Sequence, residues 1–168
     1  MEKAEFWTII DASRDAAEGD AEAQLETLSE ALAVLSPDDI VAFDRHLSAY
    51  HIRAYDRALW GAAYVIGGGC SDDGFMDFRS WLISRGEQVY EAALLDPESL
   101  VDVVTDEDGE CQVEGFQYIA SQVWEETTGK EADEFPEHDL AYQVEPTGTP
   151  WEDEDLEARF PKLCKRFS

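Results

Sequence analysis

Apolar side chains recur at three- and four-residue intervals along most of the chain, the spacing that lays a single stripe along an α-helix. Phe6, Trp7, Ile10 and Ala17 predict a first helix ending near Gly19, and Leu25, Leu28, Leu32 and Leu35 predict a second over residues 21–35. Ser36-Pro37-Asp38-Asp39 then supplies a capping oxygen, a proline at the first helical position and two acids over the positive end of the dipole. The helix that starts there carries Ile40, Phe43, Leu47, Tyr50 and Ala54, and its pattern runs on without a sharp break into Leu59, Trp60, Ala63 and Tyr64. Gly67-Gly68-Gly69 stops it, because glycine alone takes positive φ without penalty. Ser71 or Asp72 caps the next helix, whose core face is Phe75, Phe78, Leu82 and Ile83.

Gly86 ends or kinks that helix, and Val89, Tyr90, Ala93 and Leu94 predict another. Asp96-Pro97-Glu98 repeats the cap-then-proline device and opens a short turn through Leu100 and Val103. Asp106-Glu107-Asp108-Gly109 reads as an acidic turn, and residues 115–128 as a helix with Phe116, Ile119, Ala120, Val123 and Trp124 on one side. From Gly129 to Gly148 the composition shifts to acids, two prolines and isolated aromatics, which predicts a long acidic loop before the C-terminal helix. Thr149 and Glu152 stand three apart, as in a capping box, ahead of Leu156, Phe160, Leu163 and Phe167, with a break expected at Pro161. No strand series or internal repeat interrupts the pattern. The expected fold is all-α, a single multi-helix domain over residues 1–168 with about six to eight helices.

Apolar residues make up 44% of the sequence, with five Trp, six Tyr and eight Phe, enough to build a core in spite of the charge. That charge is −27, from 39 acids against 12 bases, and it is unevenly placed. Between Asp102 and Glu157 nineteen acids meet one base, Lys130, for a local charge of −18, whereas from Asp44 to Arg85 five aspartates balance five arginines. A surface this negative excludes nucleic acid and anionic membrane as partners, since affinity for both comes from Lys and Arg. It favours a protein partner, and a basic one most naturally. No apolar run has the length of a membrane span and the N-terminus lacks a signal-peptide pattern, so the expected address is the cytoplasm. Cys70, Cys111 and Cys164 are odd in number and lack CxxC spacing, so neither a disulfide framework nor a zinc site is read from them.

The run LWGAAYVIGGGCSDDGFMDFRSWLI, residues 59–83, resembles the signature of a bacterial family catalogued only as a domain of unknown function, the one numbered 4240. FWTIIDASR near the N-terminus, FDRHL followed by RAY, and the closing WEDEDLEARFPKLCKRF resemble its other recurring blocks. The resemblance implies no activity, because the family carries none that is assigned. No catalytic residue is carried over.

Candidate chemistry concentrates around the glycine turn. A glycine-rich turn entering a helix directs N–H groups at anions in phosphate sites, but GGGCSDDG lacks the Walker lysine and does not match GxGxxG. The competing reading is a tight interhelical turn with a strong cap. Asp72, Asp73 and Asp77 offer hard oxygen ligands, yet two acids at a helix start are already explained by the macrodipole, so no metal and no cofactor are assigned. His46 and His51 lie five apart, about 140° around a helix, a poor ligand pair. His46 is expected to join the arginines, and His51 to lie at the surface or boundary. A catalytic pair of His51 with Cys70, whose thiol stands beside a helix start, is outweighed by inert structural roles.

Arg45, Arg53, Arg57, Arg79 and Arg85 are expected to pair with Asp44, Asp56, Asp72, Asp73 and Asp77, either as a structural network or with two arginines facing a cleft. The basic C-terminus from Arg159 to Arg166 is expected to dock onto acidic neighbours within the molecule. Two functional expectations follow. The first is an acidic interaction protein of the inhibitor or immunity type. The second is a ligand- or metal-binding or hydrolytic domain with its site at the Gly68–Asp77 loop, whose candidate ligand-binding residues are Arg53, Arg57, Gly68, Gly69, Ser71, Asp72, Asp73 and Arg79, and which requires a concave opening beside Asp72, Asp73 or Arg79. Mimicry of DNA by rows of carboxylates is a third and weaker reading.

Overall fold

Four helices in a row, from the second to the fifth, each start on a side-chain cap from the residue just before them. In the computed structural model, which describes all 168 residues, the α-helices are α1 (Lys3–Ala16), α2 (Ala21–Ala33), α3 (Pro37–Arg53), α4 (Arg57–Gly67), α5 (Asp72–Ser84), α6 (Glu87–Leu95), α7 (Ile119–Thr128), α8 (Leu156–Arg159) and α9 (Pro161–Phe167). The fold is all-α and no strand forms. Short 3₁₀ segments occupy Pro97–Asp102, Asp106–Asp108, Phe116–Tyr118, Ala132–Glu134 and Asp153–Asp155.

Ser36 and Ser71 accept from the N–H groups of Asp39 and Gly74 and so cap α3 and α5, as the sequence predicts. The continuous pattern from Ile40 to Tyr64 is nonetheless cut at residues 54–56. There Asp56 turns extended and its carboxylate accepts from the N–H groups of Ala58 and Leu59, starting α4 as a separate helix. The capping box near the C-terminus sits three residues later than Thr149-Glu152 predicts. Glu152 and Asp155 form it, and the helix breaks at Pro161 as expected, with Pro161 beginning α9. These two breaks raise the count to nine α-helices.

The 34 buried apolar residues form one continuous cluster. α1 packs on α2, α3 and α2 both pack on α7, and α4 packs on α9. Trp7 donates to the Tyr50 hydroxyl at 3.0 Å and Tyr90 donates to the Tyr50 carbonyl at 2.7 Å, so an aromatic cluster joins α1, α3 and α6 with its polar tips satisfied. Gln24, fully buried, holds α1, α2 and α5 together by donating to Ile10, Ser13 and Ser84 and accepting from Arg85.

The acidic segment after α7 is fastened at both ends. Phe135 sets its ring edge-on to Trp124 at 5.3 Å, and Thr147 exchanges backbone hydrogen bonds with Tyr55 and Arg57 at 3.0 and 2.8 Å. Between these anchors the chain passes over α3 and α5. No helix is long and apolar enough to cross a membrane.

Candidate functional site

The glycine turn is built for shape. Gly68 and Gly69 have φ of 68° and 134°, conformations that strain any residue with a Cβ, and both send their N–H groups to the carbonyl of Tyr64. Trp60 pins the next carbonyl, that of Cys70, through its indole N–H at 2.9 Å, while Ser71 spends its hydroxyl on Gly74 N–H. Gly68, Gly69 and Gly74 thus spend their N–H groups within the turn. Burial, then Glu110 and Asp72, push the Cys70 thiol up to about 11, the opposite of an activated cysteine.

One turn further along, α5 meets a cavity. Asp72, Asp73, Met76 and Arg79 of α5 form one wall of a concave space of about 470 Å³, within the range of ~300–1,000 Å³ usual for small-molecule sites. Leu47, Ser48, His51 and Ile52 of α3, with Tyr55 beyond it, form the opposite wall. Gln117 and Tyr118 close one end, and Tyr142 and Gln143 bring the acidic loop over it.

Arg79 is the cation of this cavity. Its Nη1 donates to His51 O at 2.8 Å and its Nε to Phe75 O at 3.3 Å, and the guanidinium carbon lies 4.8 and 5.0 Å from the ring centres of Tyr55 and Phe75. No carboxylate comes within 4.0 Å of it. Two of its five N–H groups are used, which leaves three without a protein acceptor.

His51 stands beside it, only 9% exposed. Its Nε2 lies 3.1 Å from the hydroxyl of Ser80, which itself donates to Gln117 Oε1 at 3.2 Å. With that donation made, the Ser80 oxygen accepts from Nε2–H, and Nδ1 remains as an unpartnered acceptor. Burial, reinforced by the Arg79 charge, lowers the ring's pKa to about 3, so His51 is neutral.

A family model described as a protein of unknown function (DUF4240) matches residues 1–126. The chain belongs to the DUF4240 family. No curated protein and no solved structure matches it. The match to the DUF4240 model takes in α1 to α6 and most of α7, and so both helical walls of the cavity together with Gln117 and Tyr118. Tyr142, Gln143 and the closing block from Trp151 lie beyond the matched DUF4240 residues.

Of the eight candidates read from the sequence, the fold brings Asp72, Asp73 and Arg79 together on the cavity. Gly68, Gly69 and Ser71 form the turn behind it. Arg53 forms a paired contact with Glu91 at 2.5 and 2.7 Å, and Arg57 reaches Glu145 at 3.4 Å, both away from the cavity. The expected arginine–aspartate network does not form. Arg45 pairs with Asp139 and Arg85 donates to Gly19 O and Gln24, because helix packing aims these side chains at other elements. His46 contacts Met1 O and the Phe6 ring rather than an arginine. His51 corrects the surface reading and does not meet Cys70. Its burial was legible in its position four residues after Leu47 and eight after Phe43, on the apolar stripe of α3. Ser80 and Gln117 left no such signal.

Proposed function

We propose that this protein is a small-molecule-binding domain whose ligand carries an anionic group and occupies the cavity between α3 and α5. One observation carries the reading. In a chain with 39 acids, Arg79 lines a concave space with no carboxylate within 4.0 Å and three donors unspent. A desolvated guanidinium in an apolar and aromatic setting is a strong receptor for a carboxylate or phosphate oxygen, through charge-assisted and bidentate bonds. The opening beside Asp72, Asp73 and Arg79 is the feature that a ligand site at this place requires. The reading is binding rather than hydrolysis, since Ser80, the hydroxyl joined to His51, is 0% exposed and lies behind the ring. Thermal unfolding against a panel of small carboxylates and phosphates tests it. A member of the panel should raise the melting temperature of the wild type and not that of Arg79→Gln, and a panel without effect on the wild type would remove the reading.

A second reading rests on a different observation. Of the nineteen acids between Asp102 and Glu157, all but Asp108 and Glu125 are exposed, and Asp139 and Glu145 alone are in ion pairs. This surface suits capture of a basic protein in the cytoplasm. Salt-graded affinity capture with the purified chain as bait tests it: one basic protein released at moderate salt supports the reading, and an empty eluate counts against it.

A further inference from the structure

The cavity holds charges of both signs that do not neutralise one another. Asp72 and Arg79 are seven residues apart on α5, two turns along the same face, with Asp73 beside Asp72 and Met76 between. The Arg79 side chain leans back along α5, since its Nε bonds to the Phe75 carbonyl, and its guanidinium lines the same cavity as the aspartates while remaining beyond ion-pair distance of either. Beyond lying over the positive end of the α5 dipole, neither aspartate has a structural task in its side chain. Ser71 already caps α5, and neither Asp72 nor Asp73 makes a side-chain hydrogen bond to the protein.

We propose that the ligand is a zwitterion of the α-amino-acid class with an apolar side chain. The inference rests on the cavity reading above and names its ligand. The carboxylate takes the three free N–H donors of Arg79, and the ammonium, on the adjacent carbon, faces Asp72 and Asp73. A group with only the negative charge would leave those two acids repelling it at the cavity mouth, and one with only the positive charge would meet Arg79. The nine-tenths-buried ring of His51 adds an acceptor, Nδ1, for which the protein supplies no donor. Leu47, Ile52, Tyr55 and Met76 line the remaining wall with apolar surface, which selects an apolar side chain over a charged one.

Calorimetric titration of the full-length protein separates the possibilities. The probes are L-phenylalanine, L-leucine and L-methionine, with 3-phenylpropanoate and 2-phenylethylamine as versions of the first that lack the ammonium or the carboxylate. At least one amino acid should bind, and the binder most like phenylalanine should exceed both truncated probes by about ten-fold, ~1.4 kcal/mol. The Asp72→Asn, Asp73→Asn double variant should lose that preference over 3-phenylpropanoate while binding 3-phenylpropanoate at least as tightly as the wild type. Equal binding of L-phenylalanine and 3-phenylpropanoate to the wild type overturns the zwitterion and leaves the anion site standing. If no amino acid binds, the inference falls, and binding or silence of 3-phenylpropanoate in the same series decides whether the anion site falls with it. The wild-type comparison needs no variant to fold.

Discussion

Arg79 of α5 donates to the carbonyl oxygen of His51 in α3 at 2.8 Å. That carbonyl belongs to the last turn of α3, and the N–H that would have bonded it in a longer helix, on Tyr55, turns to Ile52 O instead. One guanidinium thus caps one helix, returns to the carbonyl of Phe75 on its own, and presents its remaining donors to the cavity.

Replacing Arg79 with Gln should therefore cost stability as well as ligand, by about 1.5–3 kcal/mol for a lost charged hydrogen bond. Arg79→Lys should recover less than half of that loss, because a point charge cannot span two carbonyls from two helices while lying against Tyr55 and Phe75. Urea unfolding measures both. A lysine variant as stable as the wild type would show that charge alone matters there.

Two buried titratable groups give opposed pH dependences. His51 has a folded pKa of about 3 against an ordinary 6.5, so the unfolded chain takes up a proton that the folded one refuses, and stability is lost as pH falls from about 6.5 toward 3. Asp44 is raised by burial from 3.8 to about 6, with His138 opposing, so the folded chain keeps a proton that the unfolded one releases. Its ionisation works against folding above about pH 6 and is relieved as pH falls toward 4. Asp44→Asn should thus be more stable than the wild type at pH 8, by up to about 3 kcal/mol, with the advantage gone by pH 4. Paired unfolding curves across that range check it, and an advantage that grows on acidification would contradict the assignment.

Gly61 and Gly68 should tolerate alanine poorly for different reasons. A Cβ at Gly61 would lie 2.7 Å from Cε2 of Phe160, where α4 meets the C-terminal helices, and overpacking of this kind costs about 1–3 kcal/mol. At Gly68 a Cβ meets nothing within 4 Å, and the loss of about 1–2 kcal/mol comes from holding φ at +68°. Thermal unfolding of each, with Phe160→Leu in the Gly61→Ala background, separates them: the smaller side chain should rescue the Gly61 variant, and no rescue would place the cost in the helix itself.

The basic C-terminus docks on the molecule, but its cations form no ion pair with acidic neighbours, and the bonds that hold it are ones sequence spacing does not announce. The Glu98 carboxylate accepts from the N–H groups of Lys162 and Leu163 at 3.2 and 2.9 Å and so caps α9 from 64 residues away, while Arg166 donates to the carbonyls of Val101 and Val104. Glu98→Ala should cost about 1 kcal/mol, as loss of a cap does. Amide exchange should quicken in α9 and stay unchanged in α1 to α3. Uniform acceleration across the chain would deny α9 any independent opening.

Features whose cause lies within a few residues were readable from the chain. Ser36-Pro37, Ser71 and Gly68 act where their chemistry predicts, and the apolar stripes name the faces that become buried. The break at Asp56 was masked because the apolar spacing continues through it, and only the extended backbone there lets its carboxylate turn to Ala58 and Leu59. The site was legible in part. Asp72, Asp73 and Arg79 share one helix face, so their convergence is local, whereas His51 with Ser80 and Tyr142 over the cavity depend on how α3, α5 and the acidic loop are set against one another. Arginine partners were least legible, since a long side chain reaches whichever carbonyl or carboxylate packing brings near, as Arg53 finds Glu91 and Arg85 finds Gly19.

The most direct test of the anion site is the Arg79 Nε–H resonance in a ¹H–¹⁵N spectrum of the full-length protein, followed as 3-phenylpropanoate and L-phenylalanine are added. The account predicts a saturable shift of that resonance, accompanied by backbone shifts at His51, Asp72, Asp73 and Gln117 and none in α2. An unmoved Arg79 signal, or shifts confined to other parts of the surface, would contradict it.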